Sequence, residues 1–122
     1  MKPSTGTQYR ELTQGISAGL GTLRDSTPEV MKAFNDLGRA ATAPGVLDRK
    51  TKELIALAVS VAARCDPCIG FHAQALAKLG ATRQEIDEML GVTTYMGGGP
   101  SLMYAAHAAA AFDEFSRPAL QA

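Results

Sequence analysis

The chain has no tryptophan, and only 6% of its 122 residues are aromatic. A core must therefore be built from Ala, Leu, Val, Ile and Met, and a hydrophobic fraction of 46% is enough to build one. Net charge is also lacking, because twelve Lys and Arg balance twelve Asp and Glu. That balance leaves no electrostatic footprint for a nucleic acid or an acidic membrane surface, and neither partner is expected. No stretch alternates apolar and polar residues over any length, which argues against half-buried strands. Met1 to Gly6 is polar and no apolar run follows it, so no secretory signal is expected and a cytoplasmic location is. Cysteine and histidine are scarce, at two residues each.

What is present reads as helix almost throughout, in a single domain of about six helices spanning 1–122, with N-terminal helices in 1–46 and a core in 47–116. Leu12, Ile16, Leu20 and Leu23 recur at helical spacing and predict a first helix over about Tyr9 to Arg24, weakened by Gly15, Gly19 and Gly21. Pro28 at a first helical position and Glu29 in the first turn open a second, to about Ala43, with Val30, Phe34, Leu37 and Ala41 on one face. Asp48 is the expected N-cap of a third helix, about Arg49 to Arg64. Leu54 to Ala63 within it carries no charge, a pattern expected of a helix buried on every side. Asp66-Pro67 restarts the chain as a fourth helix that ends before Gly80. Thr82 to Glu85 has the capping-box pattern of a fifth, and Pro100 opens a sixth that ends near Ser116.

From Gly91 to Phe112 there is no Asp, Glu, Lys or Arg. Three glycines and a proline split the run, and its apolar residues are mainly alanine, so a membrane span is not expected. Such a surface packs closely against other helices, and a chain this short is expected to bury part of it against another subunit.

Chemistry concentrates at Cys65-Asp66-Pro67-Cys68. Two thiols at this spacing can cycle between dithiol and disulfide after modest local adjustment. With Asp66 as N-cap, Cys68 falls at the second helical position, where unpaired N–H groups and the helix dipole favour a thiolate. Asp66 opposes this by like-charge repulsion. His72 lies one turn beyond Cys68, about 40° round the helix, so Cys65, Cys68 and His72 can share a face. Glu53, twelve residues before Cys65, is either an ordinary acid near a helix start or a buried carboxylate that needs a partner. His107, in the alanine-rich last helix, reads as structural or interfacial. A metal site of Cys65, Cys68 and His72, completed by His107 or a neighbouring subunit, is the alternative the spacing leaves open. A disulfide staple is a further one.

The segment ELIALAVSVAARCDPCIGFH, Glu53 to His72, resembles the carboxymuconolactone decarboxylase superfamily in its alkyl hydroperoxidase D-like (AhpD-like) branch. The likeness covers about Leu47 to Phe115 and continues through HAQALAKLGAT, EIDEML and MGGGP. The family pattern is Glu, twelve residues, Cys-x-x-Cys, then His four residues on; Glu53, Cys65, Cys68 and His72 match all four positions. The resemblance implies an all-α fold, assembly as a trimer or hexamer, and a peroxidase-type dithiol with no bound cofactor or metal. In that scheme Cys68 attacks the peroxide, Cys65 resolves the sulfenic acid, and Glu53 with His72 relays protons. A dithiol donor, lipoamide-linked donors among the candidates, would restore the thiols. Well-studied peroxidase members carry a second histidine between the cysteines, where this chain has Pro67. Decarboxylase members usually lack the cysteine pair; a non-redox, decarboxylase-like role is the other reading.

Overall fold

Six α-helices carry nearly all of residues 8–117, the part of the chain that the computed structural model describes. They are α1 (Gln8–Ser26), α2 (Pro28–Thr42), α3 (Arg49–Ala62), α4 (Asp66–Lys78), α5 (Arg83–Gly97) and α6 (Gly99–Ser116). All six fall where the spacing predicts them, with ends shifted by one or two residues. The end signals act as expected. Asp48 accepts the Thr51 N–H at 2.7 Å, and Thr82 with Glu85 forms a complete capping box. Gly80 closes α4 in the left-handed region, φ 77°, where a residue without Cβ meets no steric cost.

The core lies where α4 packs against α3, α6 and α1. Leu57, Val61, Ile69, Ala73, Leu76, Ile86, Ala108 and Ala111 are wholly buried there. The small residues of α6 allow close approach, which accounts for the buried part of the uncharged run. Gly70 does the same for α1: a methyl group there would meet Thr13 Cγ2 at 2.6 Å. Glu114, also buried, accepts the backbone N–H groups of Tyr9 at 2.9 Å and Arg10 at 2.7 Å. A carboxylate thus closes the N-terminus of α1, where the dipole favours an anion. No helix of the described residues is long and apolar enough to cross a membrane.

One expectation needs correction. The uncharged stretch of α3 is not buried on every side, because Ile55 and Val59 are exposed. Only the face towards α4 and the core is covered, and α5 leaves the other face beside an open groove. The α2 stripe of Val30, Phe34 and Leu37 is likewise 61–67% exposed. Helical periodicity marks a face that can be buried; it does not say that this chain supplies the cover.

Candidate functional site

The site is built on the turn from α3 to α4. Arg64 takes the left-handed conformation, φ 58°, unusual for a residue with a Cβ. Its N–H donates to the Val61 carbonyl at 3.0 Å, and the Cys65 N–H donates to the Ser60 carbonyl at 3.1 Å. This is a Schellman arrangement. It stops α3 and sets Cys65 directly ahead of α4. Cys65, rather than Asp66, is the N-cap: its sulfur accepts the Cys68 N–H at 3.2 Å. Cys68 therefore sits at the third helical position, one later than expected, still within the first turn and its unpaired donors. Cys65 and Cys68 are joined as a disulfide, their Cα atoms 5.2 Å apart.

Glu53 and His72 meet across the α3–α4 hairpin. His72 Nδ1 is 2.7 Å from Glu53 Oε2. The Glu53 side chain is only 6% exposed and that of His72 34%. An ionised carboxylate only accepts, so with Glu53 charged the Nδ1–H donates and Nε2 is left as the proton acceptor. The carboxylate thus fixes the tautomer and the orientation of the ring. Of the two readings of Glu53, the structure shows the buried carboxylate with a partner.

On the other side of α4 lies a second cluster, unforeseen from spacing. Asp66 Oδ1 accepts from the Tyr9 hydroxyl at 2.7 Å and meets His107 Nδ1 at 3.0 Å. The edge of the His107 ring packs against Tyr104, ring centroids 5.0 Å apart. Burial, then the hydrogen bond to Asp66, pushes the Tyr9 phenol well above its usual range. Asp66 and Cys68 point about 200° apart round the helix. The Asp66 charge is therefore met by two donors away from the thiols, rather than standing against Cys68 as expected. His107 is committed to Asp66 and does not join Cys65, Cys68 and His72. Among the described residues no group of three or more His, Cys, Asp or Glu is placed to hold a metal ion. The sequence held no signal for this cluster, because Tyr9, Asp66 and His107 are brought together from three helices.

Two grooves flank α3. The larger, about 500 Å³, runs between α3 and α5 and is lined by residues such as Leu54, Ala58, Met89 and Met96. It opens on the side of α3 roughly opposite Glu53, so it is not continuous with the thiols. The smaller, about 370 Å³, is lined by Arg49, Phe71, Gln74, Ala75, Lys78 and Leu79.

A family model for the carboxymuconolactone decarboxylase family matches residues 28–111, reaching further towards the N-terminus than the motif-based likeness. A solved member of that family from Legionella pneumophila is 54% identical, with a TM-score of 0.89 over 91% of this chain and 99% of that one. A second, from Thermotoga maritima, is 31% identical, with a TM-score of 0.74 over 84% of this chain and 87% of that one. An involvement in antioxidative response has been suggested for the T. maritima protein. An uncharacterised protein of Cupriavidus necator is 42% identical over 98 residues, 80% of this chain and 87% of that protein. With six helices in the family's arrangement and the family model covering α2 to most of α6, the chain belongs to the carboxymuconolactone decarboxylase family.

Proposed function

We propose that this chain is a thiol-dependent peroxidase of the AhpD-like branch, acting in the cytoplasm through Cys68, Cys65, Glu53 and His72. One observation carries the reading: a buried glutamate hydrogen-bonded to the histidine that stands one turn from a cysteine pair able to close. A fold alone does not assign an activity; a dithiol beside a positioned base is what supports this one.

In the reduced protein, His72 Nε2, directly or through water, takes the Cys68 thiol proton. The thiolate attacks the distal peroxide oxygen, and the O–O bond breaks. The alkoxide leaves as an alcohol with the relayed proton, and Cys68 becomes a sulfenic acid. Cys65, deprotonated by the same relay, attacks that sulfur. The S–O bond breaks, water leaves, and the disulfide forms. A small dithiol donor then reduces the disulfide and is itself oxidised. Cys68 is assigned the attacking role because it lies inside the first turn of α4, whereas Cys65 caps it.

The test is peroxide consumption by the reduced protein with a panel of dithiol donors, dihydrolipoamide included. Oxidation should remove two thiols per chain without covalent dimers. Cys65→Ser should trap a sulfenic acid on Cys68, detectable with a dimedone-type probe. Label appearing at Cys65 in Cys68→Ser, and none at Cys68 in Cys65→Ser, would reverse the assignment.

The reading includes assembly as a trimer or hexamer. The exposed stripe Val30, Phe34, Leu37 and the uncovered apolar groove of α3 and α5 support it. Light scattering that gives a monomer mass at micromolar concentration would contradict it.

A further inference from the structure

The smaller groove is a different kind of surface from the larger. It is lined by two cations, Arg49 and Lys78, together with Phe71 and Ala75. Lys32, Arg39, Lys50 and Arg83 each pair with an acid. Arg49 and Lys78 form no such pair among the described residues. Their charges are therefore available to a ligand.

The groove also lies on the thiol side of α4. Phe71 and Ala75 follow Cys68 by three and seven residues, so both lie within about 60° of it on α4. Arg49 precedes Glu53 by four residues and shares its face of α3. Glu53 in turn holds His72. The groove thus starts at Phe71, three residues beyond Cys68, and runs along α4 to Lys78 and Leu79. Ten residues of helix separate Lys78 from Cys68, about 15 Å of axial rise. Allowing for the reach of a lysine or arginine, the remaining distance suits an apolar stem of medium length.

We propose that this groove binds the carboxylate of an amphipathic anion at Arg49 and Lys78, laying its apolar stem over Phe71 and Ala75 towards Cys68. The inference deepens the peroxidase reading and rests on it for one point, that the natural ligand is a carboxylated alkyl hydroperoxide. Two cations recognise the carboxylate. The hydrocarbon between head and peroxide gains from leaving water. The hydroperoxide end is then held at the attacking sulfur, where the relay can protonate the departing oxygen.

The experiment measures binding without turnover. Octanoate and 1-octanol are titrated calorimetrically into the oxidised chain and into the doubly substituted R49Q/K78Q variant. Octanoate should bind the native chain, and both the alcohol on the native chain and octanoate on the variant should bind about tenfold more weakly or worse. In Cys65→Ser, saturating octanoate should slow alkylation of Cys68 by iodoacetamide. Equal affinity for alcohol and carboxylate, unchanged affinity in R49Q/K78Q, or no protection of Cys68 would each overturn the proposal. Circular dichroism of the variant checks its fold; both side chains lie on exposed residues, so unfolding is not expected. If tert-butyl hydroperoxide fails to oxidise the thiols while octanoate binds and protects as stated, the peroxidase reading falls and the anion groove stands.

Discussion

Each of the two described histidines meets a carboxylate through Nδ1, yet the two pairs are built differently. Glu53 is almost wholly buried and its hydrogen-bond partner is His72. Asp66 is about a third exposed, and it divides one oxygen between Tyr9 and His107. A buried carboxylate depends on its partner, so losing His72 would leave Glu53 without that hydrogen bond in a site water scarcely reaches. Asp66 is about a third exposed and has two partners, so losing one of them leaves the other and access to solvent. The first pair also lies on the thiol side of α4 and the second on the side facing α1 and α6. A carboxylate–histidine pair is thus placed for the proposed relay on one side of α4 and for anchoring helices on the other.

Glu53→Gln is the strongest test of that contrast. Glutamine keeps the size and one acceptor but cannot take up a proton at neutral pH. The rate of peroxide-driven disulfide formation should fall by about tenfold or more, within the usual contribution of a general acid–base group. Secondary structure and oligomer mass should be unchanged. A rate within about twofold of the native one at every pH would remove Glu53 from the relay.

Gly70→Ala tests the anchoring side through packing. The added methyl would lie 2.6 Å from Thr13 Cγ2 and 3.3 Å from Tyr9 Cδ1. Forcing α1 away from α4 should cost about 1–3 kcal/mol in denaturant unfolding. It should also loosen the hydrogen bond between Tyr9 and Asp66, which near-ultraviolet dichroism of the tyrosines would register.

A smaller effect is expected for His107→Gln. Both members of its pair are about a third exposed, so the loss of stability should stay within about 1 kcal/mol. The thiol oxidation rate should remain within about twofold of native across pH. A tenfold loss would place His107 in the relay and erase the distinction between the two pairs.

The mildest test titrates Tyr9. Its phenol is raised by burial and by Asp66, so the folded state favours the protonated form. The stability this contributes is complete below the unfolded value and falls away as pH rises beyond it. Tyr9→Phe should therefore leave the native 295 nm titration unchanged up to about pH 11, one unit above an ordinary tyrosine. Loss of one ionising group below that pH would show that Asp66 and burial do not hold the proton.

The helices and half of the site were legible from local rules. Asp48, Thr82 with Glu85, and Gly80 act on neighbours a few residues away, so their hydrogen bonds follow from the order of residues alone. The three-residue spacing of Cys65 and Cys68, with His72 one turn on, similarly fixes a shared side of α4. The cap is Cys65 where the spacing predicts Asp66, because a cysteine sulfur is not among the usual capping groups. Carboxylate partners were beyond local rules. Glu53 reaches His72 only because the left-handed Arg64 turns α4 back along α3 in one register. Asp66 is met by side chains 57 residues before it and 41 after it. Burial was undetermined for the same reason: the α2 stripe has the pattern of a covered face and remains exposed in this chain. Sequence determined what depends on contacts within a turn or two of helix, which survive any arrangement of the bundle. Tertiary structure decided which charges met and which apolar faces stayed open, because those depend on how separate helices are packed.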